Sequence, residues 1–138
     1  MATEFETPQD AEDALYDAFE AGLIDGIMAV WEDSDEIACL LPMTPLLQGR
    51  QAVLEGWRRL LEAEIVPEIS VVHRQWIESP DLAVHLIEEK LVVPDSPQPA
   101  ANIFASNIYR RTAQGWRLIV HQTSPLPPAA PRGPRIPI

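Results

Sequence analysis

Few residues of this sequence have both the type and the setting to do chemistry. Glu88 and His121 lie on segments that are otherwise largely apolar. A carboxylate or imidazole held among apolar side chains acquires the displaced pKa that general acid–base catalysis uses. Glu88 shares strand parity with Leu82, Val84 and Leu86 and is expected to face the core if they do. His121 alternates with Arg117 and Ile119, whereas Trp116, Leu118 and Val120 form the more core-like set, so without a bulge it is expected on the outer face of its strand. His85, beside Ala83 and Ile87, and His73, with Ile69 and Val71, carry the same ambiguity. Asn107 and Tyr109 share a face with Ile103 and Ala105. There an amide and a phenol can orient a ligand's carbonyl or hydroxyl group, or else bond internally.

Other chemistries find little support. The three histidines are too widely spaced for any familiar ligand motif, so no metal is expected. No Gly-x-Gly-x-x-Gly run occurs among the six glycines, and no cofactor is expected. The single cysteine, Cys39, sits in the apolar run from Ile37 to Leu41 without a cationic neighbour, and reads as core.

The elements that must position these groups are read from periodicity. Thr7, Pro8 and Asp10 form a helix start: a capping hydroxyl, a proline where its missing N–H is harmless, and an acid near the positive helix end. Ala11, Leu15, Ala18 and Phe19 then make an apolar stripe, with Glu12, Asp13, Asp17 and Glu20 on the other face and Gly22 at the end. A short helix capped by Asp25 carries Ile27, Met28, Val30 and Trp31. Ile37 to Leu41 is a predicted strand, and a loop through Pro42 and Pro45 reaches Gly49. Val53, Leu54, Trp57, Leu60, Leu61 and Ile65 mark a third helix from Arg50 to about Ile65. Four strands follow, Glu68 to Glu78, Leu82 to Val93, Ala101 to Arg111 and Trp116 to Thr123, with a tight turn at Ser79-Pro80-Asp81 and a hairpin at Thr112 to Gly115. The reading is one α+β domain over residues 1–124, with N-terminal helices packed on a strongly curved antiparallel sheet. The proline-rich segment 125–138 is expected to be disordered or draped over the surface.

Bulk properties agree. With 138 residues, 46% hydrophobic and 22% charged, the chain suits one globular core. Twelve of its 21 acidic residues, and none of its ten basic ones, precede Arg50. That field repels phosphate backbones, so nucleic acid is a poor partner. No apolar run is long enough to span a bilayer, and the acidic first twenty residues lack a signal-peptide pattern; a cytoplasmic location and no membrane partner are expected.

The order of elements, with Ala105-Ser106-Asn107-Ile108-Tyr109-Arg110-Arg111-Thr112 running into Gly115-Trp116-Arg117-Leu118-Ile119-Val120-His121-Gln122, resembles the SnoaL-like branch of the nuclear transport factor 2-like superfamily. Trp31, Leu47-Gln48-Gly49-Arg50, Trp57 and Asp81-Leu82-Ala83-Val84 extend the likeness over about residues 7–125. The resemblance implies a cone-shaped α+β barrel with a cavity at its open end, commonly a homodimer through the outer face of the sheet. It also implies a cavity lined by Trp31, Leu41, Met43 and Trp57. Relatives often carry His-Pro-Gly and His-His steps where this chain has Leu41-Pro42-Met43 and His121-Gln122, so part of a polar site is missing. The favoured expectation is a dimeric module binding a small apolar or carbonyl-bearing molecule, without an assured catalytic role. The alternative is an isomerase- or cyclase-like enzyme using Glu88 or His121 as proton carrier and Asn107 with Tyr109 as orienting donors.

Overall fold

The computed structural model describes residues 4–42, 44–63, 68–92, 95 and 101–125. Helix α1, Pro8–Ala21, begins where Thr7 Oγ1 accepts the Asp10 N–H at 3.0 Å and ends at Gly22, whose φ of 72° is the left-handed conformation glycine adopts without steric cost. Helix α2, Ile24–Val30, starts at Leu23 rather than Asp25. The side chain of Arg50 reaches back to the end of α2, donating to the carbonyls of Met28 and Glu32 at 3.2 and 3.0 Å. It thereby satisfies oxygens that a helix end leaves without partners. Helix α3, Arg50–Leu61, buries Val53, Gly56 and Trp57.

Six strands form one sheet: β1 Ala38–Leu40, β2 Leu47–Gln48, β3 Glu68–Glu78, β4 Leu82–Val92, β5 Ala101–Thr112 and β6 Gly115–Pro125, in the order β2-β1-β6-β5-β4-β3. The last four are the expected antiparallel meander. The expectation of a wholly antiparallel sheet is corrected at the other end, because β1 lies parallel to β6. β1 enters the sheet from α2 instead of from a hairpin, so nothing reverses its direction. The segment read as a loop before Gly49 supplies β2 at the edge, and the sheet stays open. The class remains α+β. Helix α3 ends at Leu61, short of the expected Ile65, because Glu62 and Ala63 leave the helix in a turn and a bend; Ile65, Met43 and the tail from residue 126 lie outside the described residues.

Two bulges set which side chains face inward. Arg74 has no partner in the ladder between His73 and Gln75, and Ile119 is the extra residue where Tyr109 pairs with Leu118 but Ile108 pairs with Val120. An extra residue inverts the alternation beyond it. Leu118 and His121, which have opposite parity, are therefore both buried.

Candidate functional site

Directly paired residues form a row across five strands: Cys39, His121, Asn107, His85 and Trp76. Paired residues project to the same side of a sheet. The row and its neighbours Ala83, Ile87, Glu89, Ala105 and Tyr109 are all buried apart from Trp76, and α1 packs over them.

At one end of this face lies a cavity of about 110 Å³ with apolar walls that include Leu15, Phe19, Leu41, Trp57, Ile69 and Ile103. Its polar lining is Tyr16, Glu89, His121 and Thr123. Thr123 is engaged elsewhere, since its hydroxyl donates to the Leu40 carbonyl at 2.8 Å. The Tyr16 hydroxyl donates to Glu89 Oε2 at 2.5 Å. Burial raises the pKa of Glu89, and the bond from Tyr16 only partly offsets it. His121, fully buried beside the ring of Trp57, has its pKa lowered to about 4 by desolvation.

Behind the cavity stands a second polar layer built on Glu12. Its Oε2 accepts from Tyr109 OH at 2.9 Å and from Asn107 Nδ2 at 3.3 Å, and lies 2.9 Å from His85 Nδ1; its Oε1 lies 2.5 Å from His73 Nε2. Burial pushes this carboxyl up, but the bonds from His85 and His73, the charge of His85 and the Tyr109 hydroxyl outweigh it and bring the pKa down to about 2. Asn107 links the two layers. With its Nδ2 on the Glu12 carboxylate and on Tyr16 at 3.2 Å, its Oδ1 faces His121 Nδ1 at 2.5 Å. An acceptor at that position requires a proton on Nδ1. In its neutral form His121 is thus held as the Nδ1–H tautomer, with Nε2 carrying the lone pair. The ring of His85 stacks on Trp76 at 4.4 Å, and its Nε2 has no partner among the described residues.

The structure places the residues singled out from sequence as follows. Leu41 and Trp57 line the cavity; Asn107 and Tyr109 stand one layer behind it; Trp31 is buried at the end of α2, bridged to Leu118, away from the lining; Met43 is outside the described residues. The expectation for His121 is corrected: the Ile119 bulge turns it inward. The expectation for Glu88 is also corrected. It is buried, as a core-facing acid would be, but on the outer face, paired across the strands with Val72 and Phe104, and its carboxylate accepts from Arg74 Nη2 at 2.8 Å. Its parity mates Leu82 and Leu86 are 44% and 37% exposed, which marks that parity as the outer side of β4. Glu89 holds the position expected of Glu88. Glu12, assigned to the solvated face of α1, is 1% exposed because the buried stripe is broad enough to include Glu12, Tyr16 and Phe19 beside Ala11, Leu15 and Ala18. The signal for these missed residues was present: Glu12 and Tyr16 lie one helical turn apart, and Glu89 alternates with His85 and Ile87.

Helices over one face of an open, curved sheet, with a cavity between them, define an α+β cone. Residues 9–129 match the family model described as a SnoaL-like domain, and the chain belongs to that family. A solved structure from Thiobacillus denitrificans, described as a candidate calcium/calmodulin-dependent protein kinase type II association domain, is similar at 41% identity over 90% of this chain and 98% of its own, with a TM-score of 0.85. The same fold occurs in a candidate dehydratase of the nuclear transport factor 2-like family from Streptomyces avermitilis (24% identity, 86% and 92% of the two chains, TM-score 0.71). It occurs again in a ketosteroid isomerase-like protein from Erwinia carotovora atroseptica (18% identity, 87% and 94%, TM-score 0.72). No curated protein matches the chain. No helix among the described residues is long and apolar enough to cross a membrane.

Proposed function

We propose that the domain binds a compact, mostly apolar molecule bearing a hydroxyl or carbonyl oxygen, and that Glu89 exchanges a proton with it. The observation that carries this reading is that Glu89 and His121 face one cavity with pKa values displaced in opposite directions. Burial thus inverts the usual roles, favouring a proton on the carboxyl and a neutral imidazole, and surroundings that set two titratable groups in this way divide acid–base roles between them. A carboxyl poised toward neutrality can take and return a proton. His121, neutral at physiological pH, acts as an acceptor: its Nε2 receives a hydrogen bond from a ligand O–H and holds that end in place. The cavity volume supports a small ligand. A dry cavity of roughly 150 Å³ holds a benzene-sized guest, and about 110 Å³ suits a five-membered ring better than a fused polycycle.

The test uses 2-hydroxycyclopentanone, whose O–H can donate to His121 Nε2 and whose ring carries protons α to a carbonyl, in deuterium oxide. The protein is expected to accelerate loss of the α-proton NMR signals above the buffer rate, and Glu89→Gln to remove about 100-fold or more of that acceleration, the lower range for a positioned base. Ketone binding, read from tryptophan fluorescence, should survive in the variant. Unchanged exchange in Glu89→Gln refutes the role of Glu89, and absence of ketone binding to the wild type refutes the ligand class.

A second reading concerns assembly. The outer face of the sheet exposes Ile77, Leu82, Leu86, Val92 and Phe104 together, which supports pairing with a second copy through that face. Sedimentation is expected to show a dimer that Phe104→Glu converts to monomer. A monomeric wild type contradicts it.

A further inference from the structure

Glu12, His73 and His85 come from α1, β3 and β4, and one ligating atom of each lies within 4.8 Å of those of the other two. The geometry points to this trio as a binding site for one divalent transition-metal ion, zinc by its ligand type. Two imidazoles and one carboxylate suit zinc and its late first-row neighbours, whereas calcium and magnesium favour all-oxygen sets. Tetrahedral zinc with ligands at ~2.0–2.2 Å places them about 3.4 Å apart. Glu12 already meets His73 Nε2 and His85 Nδ1 at 2.5 and 2.9 Å. Binding requires the His73 side chain, which is partly exposed, to move back from Glu12 to admit the ion.

Charge, supporting shell and access all favour the ion. Glu12 is a buried carboxylate whose described partners are His73, His85, Asn107 and Tyr109, none of them a lysine or arginine. The site therefore carries an uncompensated negative charge unless a histidine is protonated or a cation arrives, and a lone buried charge is costly. A working metal site also needs an outer layer that fixes its ligands. Here Tyr109 and Asn107 bond Glu12 Oε2, and the His85 ring is stacked on Trp76 with Tyr109 beside it. Entry is through a surface groove lined by Gln9, Glu12, Asp13, Asp17, Val71 and His73, whose added carboxylates attract cations. Three protein ligands leave a fourth position for water on that side. Separations of 61 and 73 residues hide the trio from any spacing motif.

The test is calorimetric titration of zinc chloride into the untagged full chain after dialysis against chelator, with Co²⁺ as spectroscopic probe. One equivalent is expected to bind, with the visible absorption of low-coordinate Co²⁺. His73→Ala, at a partly exposed position that keeps the fold, is expected to weaken binding by about 100-fold or more, since loss of a mere outer-layer partner already costs ~10–100-fold. Circular dichroism confirms that this variant folds, and His73→Cys, which restores a ligand, is expected to recover affinity. No saturable zinc binding by the wild type, or equal affinity in His73→Ala, overturns the assignment.

Discussion

Asn107→Leu isolates the amide that joins the two polar layers. The substitution nearly conserves volume but removes three contacts: the donation from Nδ2 to Glu12 at 3.3 Å, the donation to Tyr16 at 3.2 Å, and the acceptor facing His121 Nδ1 at 2.5 Å. A hydrogen bond to a charged group contributes about 1.5–3 kcal/mol, and a buried donor left without a partner costs about 1–3 kcal/mol. Glu12 keeps three other partners and Tyr16 keeps Glu89, so their losses fall at the low end. The orphaned His121 N–H costs more, because the residue is only 2% exposed. Together the expected destabilisation is about 3–5 kcal/mol by urea denaturation. Long-range ¹H–¹⁵N correlation should show the Nδ1–H tautomer of His121 in the wild type and loss of that preference in the variant. A stability within about 0.5 kcal/mol of wild type, or an unchanged tautomer, refutes the view that Asn107 holds His121.

Three further outcomes follow. The folded pKa of His121 lies at about 4, below its ordinary 6.5, so the unfolded chain binds the extra proton between those values and this residue's contribution to stability falls as pH drops from 6.5 to 4; the shift amounts to about 3 kcal/mol, read as the difference in urea-derived stability between the wild type and His121→Phe across that window. Glu89 has the opposite sign, since its raised pKa makes its contribution fall as pH rises above 4.5, and Glu89→Gln is expected to gain stability relative to wild type at pH 8 compared with pH 4. Deleting Ile119 restores regular β5–β6 pairing and turns either Leu118 or His121 outward, so an insoluble or molten product is expected by near-ultraviolet circular dichroism, whereas a stable native spectrum contradicts the role given to the bulge.

The fold was largely legible in the sequence because its signals are local. The Thr7 cap, the Gly22 stop, the stripe of α3 and the turns from β3 to β4 and from β5 to β6 depend on neighbouring residues alone. The direction of β1 was not legible, since parallel pairing with β6 is decided by a partner some 80 residues away. The site was less legible still. In β4 apolar residues occupy both parities, with Leu82 and Leu86 exposed on the outer side and Ala83, His85, Ile87 and Leu91 on the inner one, so size misled the placing of Glu88. In β6 a one-residue bulge, which no composition signal announces, reversed the facing of His121. Glu12 looked like one more acid of an acidic helix. Its burial depends on two histidines and a tyrosine that only the tertiary fold brings to it.

The central claim is that Glu89 and His121 share a cavity that raises the proton affinity of the carboxyl and lowers that of the imidazole. A pH titration of the Glu89 side-chain carboxyl by ¹³C NMR, with the His121 ring followed in the same samples, tests it most directly. Glu89 is predicted to titrate above the ordinary 4.5 while His121 stays neutral down to about pH 4. A Glu89 midpoint at or below 4.5, or a His121 that titrates near 6.5, contradicts it.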